Sequence, residues 1–204
     1  MPDKLPQALA ESPRALVIAP AGCGKTHLIS QAVHHCTGRQ LVLTHTHAGV
    51  RSLREKMARL KVPADRFHVS TLASFGLRYA SAYPTISGWN VPEPEDDQWS
   101  ALLPAAAKAL CAKAVEQVLR ASYTGVFVDE YQDCTRAQHQ LVIQLAAILP
   151  CRVLGDPLQS VFAQVNGVEA LPWADVQSAF PEFATLTEPH RWAGKNEALG
   201  HWLL

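Results

Sequence analysis

The sequence predicts an α/β fold, a parallel sheet flanked by helices, and three observations carry that prediction. Short apolar runs of strand length alternate with stretches of helical periodicity, the order in which strands and crossover helices build a parallel sheet. The first apolar run, Ala15-Leu16-Val17-Ile18, passes directly into Ala19-Pro20-Ala21-Gly22-Cys23-Gly24-Lys25-Thr26. A later run, Gly125-Val126-Phe127-Val128, passes into Asp129-Glu130-Tyr131-Gln132-Asp133.

Each element follows from its residues. Residues 15–19 read as the first strand, and a helix follows from Lys25 to about Cys36, where Thr37-Gly38 ends it. Leu41-Val42-Leu43-Thr44 reads as a second buried strand. The next helix, about Ala48 to Leu60, puts Val50, Leu53, Met57 and Leu60 on one face and stops before Pro63. Phe67 to Ser70 is a short strand and Thr71 to Tyr79 a helix. Tyr83 to Trp99 holds Pro84, Gly88, Pro92, Pro94 and the acidic residues Glu93, Glu95, Asp96 and Asp97, and reads as an exposed connection. One long Ala-rich helix, Ser100 to Ala121, then leads to the strand that ends at Asp129. A helix over 135–149 precedes the strand Cys151-Arg152-Val153-Leu154. Thr185-Leu186-Thr187 reads as a final strand, with a helix starting near Gly194.

Composition narrows the class. A chain of 204 residues fits one α/β domain with a substantial core, and 48% hydrophobic against 18% charged residues is the balance of an ordered globular protein. Lys and Arg number 18, as do Asp and Glu, so no global field draws the chain to nucleic acid and any such contact must be local. Five cysteines without C-x-x-C spacing, an odd count, argue against a disulfide framework and fit a reducing cytoplasm. The nine histidines show no spacing of a closed zinc site. No signal-peptide core and no apolar run of membrane-spanning length is present, so a cytoplasmic protein without membrane contact is expected.

The two motif segments predict a nucleotide site. Small residues at 19–24 let backbone N–H groups curl around phosphate oxygens at a helix N-terminus. Lys25 would reach the β and γ phosphates, and the Thr26 hydroxyl and Asp129 would hold one Mg²⁺ from opposite sides. Glu130 would orient and deprotonate the attacking water. An ordinary Gly-rich turn accounts for neither the Lys-Thr pair nor the Asp-Glu pair. ATP and Mg²⁺ are therefore the expected cofactors, with Ala19, Pro20, Ala21, Gly22, Cys23, Gly24, Lys25, Thr26 and His27 around the phosphates.

Four segments in this order resemble the UvrD-like superfamily 1 DNA helicases: Ala19 to Thr26, Asp129 to Asp133, Gly155-Asp156-Pro157-Leu158-Gln159-Ser160, and Glu188-Pro189-His190-Arg191. Leu43-Thr44-His45-Thr46-His47-Ala48 resembles the family's motif Ia, and Thr71-Leu72-Ala73-Ser74-Phe75 the segment that helps hold single-stranded DNA. The resemblance implies a RecA-like P-loop NTPase domain over 1–183, with a reduced accessory (1B-like) insertion in 76–122, and the start of a second RecA-like domain over 184–204. It implies γ-phosphate contacts from Gln159 and Arg191, base contacts from Gln7 and His190, and DNA contacts from Thr44, His45, Thr71, Ser74, Phe75 and Phe162. Single-stranded DNA or a DNA junction is the implied partner.

Departures from the pattern bear on those roles. His190 stands where the family usually has a Tyr that stacks on adenine, Gln164 where it has a second DNA-stacking aromatic, His45 where motif Ia has Phe, and Ala73 where the other segment has His. A stacked base is worth ~1–3 kcal/mol, so a lost platform weakens strand grip. Arg51, Arg54, Lys56, Arg59 and Lys61 form a local basic surface for phosphate contacts, or a solvated helix face. The chain ends thirteen positions after Arg191, too early for the second RecA-like domain. The expected protein is thus the ATP-binding half of a helicase or translocase cleft, weakly active alone and completed by a further domain or a partner protein. A nucleotide-sensing regulatory or interaction module stays open, as does a P-loop enzyme of another type.

Overall fold

All six strands of the sheet run in the same direction. The computed structural model describes residues 4–20, 22–95, 98–159 and 171–188. Its strands are β1 (Arg14–Ile18), β2 (Gln40–Thr44), β3 (Phe67–Thr71), β4 (Gly125–Val128), β5 (Cys151–Gly155) and β6 (Glu182–Thr185), in the order β3-β2-β4-β5-β1-β6. Every neighbouring pair is parallel. This is the α/β RecA-like P-loop arrangement, with β5 inserted between the strand that precedes the Gly-rich loop and the strand that ends before Asp129.

Alternation along each strand builds two cores. Ala15, Val17, Val42, Phe127 and Leu154 face α1 (Lys4–Glu11), α2 (Lys25–His35) and α3 (His47–Arg59), where Leu9, Ile29, Val33, Leu53 and Met57 are buried. Leu16, Leu41, Leu43, Val126, Val128 and Val153 face the opposite layer. That layer holds α4 (Leu72–Ala82), α5 (Pro84–Ser87), α6 (Trp99–Leu110), α7 (Lys113–Ser122), α8 (Arg136–Ile148) and α9 (Trp173–Ala179). Residues 76–122, expected as a reduced accessory insertion, form most of this layer, and Tyr79, Leu102, Ala106, Leu110, Val115 and Leu119 share its core.

Threonines start three of the helices. Thr46, Thr71 and Thr135 each accept a hydrogen bond from the backbone N–H three residues on, and Thr135 with Gln138 completes a capping box.

The structure departs from the sequence reading in four places. The single long helix is two, because Ala112 is extended (φ −82°, ψ 132°) and redirects the chain so that Val115 and Leu119 reach the core. No Gly or Pro marks that break. The supposed exposed connection after Tyr83 is partly interior: Ser87 and Trp89 are buried, and the Ser87 hydroxyl donates to the Ala80 carbonyl and accepts from the Trp89 N–H. α1 and α9 were not expected, being too short for a periodic signal. The final strand lies at Glu182–Thr185, earlier than Thr185–Thr187, and the division expected between 183 and 184 falls inside it. The helix expected near Gly194 lies outside the described residues.

Among the described residues, no helix is long and apolar enough to cross a membrane.

Phe180 closes the second core. It is fully buried, its ring lies edge-on to Tyr131 at 5.8 Å, and the Arg14 guanidinium sits 5.5 Å over it. Phe180→Ala is expected to lower unfolding free energy by about 3–5 kcal/mol in urea titrations. A loss below ~1 kcal/mol would contradict this packing.

Candidate functional site

Parallel strands place their C-terminal loops at one edge of the sheet, and the predicted motifs meet there. After β1 the chain stays tied to β5, the Ala19 N–H donating to the Gly155 carbonyl at 2.9 Å. Gly22 (φ 79°) and Gly24 (φ 92°) then take left-handed conformations that the tight loop requires, and Gly24 caps α2 so that Lys25 is its first residue. Lys25 is almost entirely buried. Its ammonium donates to the Ala19 carbonyl at 3.0 Å and pairs with Glu130 Oε2 at 3.3 Å.

Asp129 and Glu130 reach this loop by different means. In a strand, consecutive side chains point to opposite faces, so two neighbours can enter one site only if the chain turns between them. It turns at Glu130, a non-glycine residue at φ 54° and ψ 47°, which leads into a short 3₁₀ turn over Tyr131–Asp133. Such a conformation costs ~1–3 kcal/mol and persists where the surroundings hold it. Asp129 is buried, accepting from the Thr26 hydroxyl at 3.2 Å and from the Glu130 N–H at 3.0 Å.

Carboxylates outnumber cations at this edge. Burial first, then the Glu130 charge, push the Asp129 carboxyl up to about 7, against the pull of Lys25 and of hydrogen bonds from Thr26 and the Glu130 N–H. The same two causes raise Asp133 to about 6. The paired hydroxyl and carboxylate of Thr26 and Asp129 are hard oxygen donors, the set that suits Mg²⁺. Among the described residues no group of three or more His, Cys, Asp or Glu stands ready to hold a metal, so a cation here needs further oxygens such as those of phosphate.

A cavity of about 1200 Å³ opens over the loop. Pro20, Gly22 to Leu28, Gln31, Glu130 and Gln159 line it, with Leu5 and Pro6 of α1 at one side and Thr185 to Glu188 at another. The structure therefore brings together Pro20, Gly22, Cys23, Gly24, Lys25, Thr26, His27, Glu130 and Gln159, with Ala19 and Asp129 buried beneath them. Ala21, Phe162, His190 and Arg191 lie outside the described residues.

The structure places the other expected contact residues as follows. Gln7 does not line the cavity; its amide donates to Glu11 at 3.1 Å on the exposed side of α1. Phe75 is buried with its ring 4.6 Å from Tyr79, so it serves the core and cannot stack on a base as it stands. Thr44 is buried against Gly49, and the Thr71 hydroxyl is used to cap α4. Ser74 is exposed. His45 turns inward: its Nε2 lies 3.7 Å from Cys134 Sγ, and burial lowers the imidazole to about 4. The basic stripe divides, for Lys56 and Arg59 line the cavity while Arg54 donates to the Val69 carbonyl at 3.0 Å.

One residue went unassigned in the sequence. Gln132 is buried, its amide donating to Glu130 Oε2 at 2.9 Å and accepting from the Asp156 N–H at 3.0 Å. It stands inside the Asp129–Asp133 segment, but the periodicity of a strand says nothing about where a 3₁₀ turn aims a side chain.

Known proteins bear on this geometry. The family described as AAA domain matches residues 5–164. The chain belongs to the AAA domain family. The matched span of this AAA domain holds Ala19 to Thr26, Asp129, Glu130, Gln132 and Gln159. No curated protein is significantly similar to the chain. Among solved structures, arterivirus nonstructural protein 10 (helicase) in complex with DNA is 16% identical with a TM-score of 0.45, over 91% of this chain and 38% of that one. The PRRSV helicase is 18% identical with a TM-score of 0.44, over 88% and 32%. The arterivirus protein in a second structure is 14% identical with a TM-score of 0.44, over 91% and 37%. The AAA domain thus spans well under half the length of these helicases.

The buried Asp129 makes a pH signature. Its carboxyl is raised on folding, so the native state holds a proton that the unfolded chain releases, and stability falls as pH rises from about 4 to about 7. His45, held neutral, acts oppositely: its contribution is present above about 6.5 and lost as pH falls towards about 4. Asp129→Asn removes only the first effect. The stability of the variant minus that of the parent chain should grow from about pH 5 to about pH 7 and then level off, read by urea unfolding at each pH. A pH-independent difference would contradict the raised carboxyl.

Proposed function

We propose that the chain is the ATP-binding and hydrolysing domain of an ATP-dependent DNA helicase or single-stranded DNA translocase. The observation that carries this is the meeting of Lys25, Thr26, Asp129 and Glu130 within hydrogen-bonding distance at one edge of a parallel sheet.

In this reading, N–H groups of the loop 19–26 cradle the phosphates, and Lys25 exchanges its bond to Glu130 for the β and γ phosphate oxygens. Thr26 and Asp129 hold Mg²⁺, which supplies charge neutralisation on the phosphates when bound. Glu130, released from Lys25, aligns a water and takes its proton as the water oxygen bonds to the γ phosphorus. The bond from that phosphorus to the bridging oxygen breaks, and its electron pair leaves on ADP. Gln159 lines the cavity, which supports its reading as the sensor of the γ phosphate. The resemblance assigns a γ-phosphate contact to Arg191 as well. A second RecA-like domain, in the same protein or a partner, completes the cleft and supplies further transition-state charge. His190 would pack on the base from that side.

The reading as a nucleotide-sensing interaction module is favoured by one observation, the burial of Thr44, Thr71 and Phe75, which removes three of the expected DNA contacts. Binding to single-stranded DNA, measured over a salt series, separates the two. A translocase domain binds with a log-log salt slope of phosphate contacts, and a module does not bind at low salt even with an ATP analogue.

Lys25→Ala should weaken Mg-ATP binding by more than about tenfold in a fluorescent-nucleotide titration. Glu130→Gln should keep affinity within about threefold while single-turnover hydrolysis falls by about 10²-fold or more. Unchanged affinity in the first variant, or unchanged hydrolysis in the second, would refute the assignment.

A further inference from the structure

Glu130 is held by more than Lys25. Gln132 Nε2 donates to the same carboxylate oxygen, Oε2, at 2.9 Å, and also reaches Asp133 Oδ2 at 3.5 Å. The other end of the Gln132 amide leaves the β4 loop altogether. Its Oε1 accepts from the Asp156 N–H at 3.0 Å, just past the end of β5. Asp156 is buried and organises the turn after β5: its carboxylate accepts from the Leu158 N–H at 3.0 Å and from the Gln159 side-chain amide. A continuous line of hydrogen bonds therefore runs from Glu130 through Gln132 and Asp156 to Gln159.

The packing around this line leaves it little freedom. Gln132 is 7% exposed. A Cβ on Gly155 would come within 3.1 Å of both the Gln132 backbone nitrogen and its Oε1, and within 3.0 Å of the Trp173 ring. Glycine at 155 is what allows the amide to approach the β5 loop so closely. Both ends of the buried amide are satisfied, Nε2 by carboxylate and Oε1 by a backbone N–H, so flipping it would set like partners against each other.

We propose that Gln132 is the positioning residue of the hydrolytic step, fixing the Glu130 carboxylate through Nε2 and tying it through Oε1 to the Asp156–Gln159 turn. The proposal rests on the ATP-site reading of Lys25, Thr26, Asp129 and Glu130. When Lys25 leaves Glu130 for a phosphate, Glu130 loses that ion pair, and the Gln132 amide keeps the carboxylate aimed. The same amide passes any shift of Glu130 to the turn that carries Gln159. Gln132 touches neither phosphate nor water in this scheme and acts through the groups it bonds, Glu130 and the Asp156 N–H, with Asp133 Oδ2 a longer contact of Nε2 at 3.5 Å.

The test compares the chain with Gln132→Leu and Gln132→Glu, with Lys25→Ala as the control for the site itself. Gln132→Leu loses both bonds. Gln132→Glu keeps an acceptor for the Asp156 N–H but sets a second carboxylate against Glu130. Affinity for fluorescent Mg-ATP and Mg-ADP should stay within about threefold of the parent in both variants, while single-turnover hydrolysis falls at least about tenfold in both. Amide exchange at Asp156 should be fast in Gln132→Leu and protected in Gln132→Glu. A second readout needs no turnover. A non-hydrolysable ATP analogue should change exchange at Asp156, Leu158 and Gln159 relative to ADP in the parent chain, and this difference should vanish in Gln132→Leu. Parent-like hydrolysis in Gln132→Leu, or an analogue-dependent exchange response that survives in it, would overturn the proposal. A parent chain that binds neither nucleotide, like Lys25→Ala, would instead overturn the ATP-site reading.

Discussion

A parallel sheet delivers every strand end to the same edge, and in this chain that constraint assembles the site. β1 brings the Gly-rich loop, β4 brings Asp129 and Glu130, and β5, lying between them, brings Asp156 and Gln159. Had one strand been reversed, its loop would stand a full strand length away, roughly 17 Å for five residues. The two hydrophobic layers are what hold the strands in this order. The four inner strands β2, β4, β5 and β1 are covered on both faces, as a parallel sheet demands, so the loops at their ends are carried on a rigid frame.

Within that frame the site is under electrostatic tension. Asp129, Glu130 and Asp133 converge on a buried lysine, and burial first, then the Glu130 charge, make both aspartates hold their protons more tightly despite that lysine. Lys25 spans this cluster and its own loop, bonded to the Ala19 carbonyl on one side and Glu130 on the other. An anion with its own divalent cation would relieve both conditions together, giving Lys25 a stronger partner and the carboxylates a counter-charge. In the proposed reading these groups are arranged around charges that a metal–phosphate ligand would supply.

Much of this was legible in the sequence, for physical reasons that can be named. The strands were visible because double-sided burial writes continuous apolar runs, as at Leu41–Leu43 and Val126–Val128. Gly22 and Gly24 were visible as a loop because left-handed backbone needs glycine. What escaped has reasons too. The break at Ala112 carries no residue that forbids a helix, so only tertiary packing decides it. Phe75 and His45 were placed on the DNA side by resemblance, yet a helix N-terminus and a strand end can each turn a ring inward, and both do. Gln132 was hidden because its role depends on the left-handed turn at Glu130, a conformation that no local residue preference announces.

The central claim is that Lys25, Thr26, Asp129 and Glu130 form a preassembled ATP site in which the Lys25–Glu130 pair holds the place of a phosphate. A crystal structure with Mg²⁺ and a non-hydrolysable ATP analogue tests it most directly. The γ phosphate is expected within hydrogen-bonding distance of Lys25 Nζ, with the Lys25–Glu130 pair opened and the cation bound by Thr26 and Asp129. A nucleotide bound elsewhere, with the ion pair intact, would contradict it.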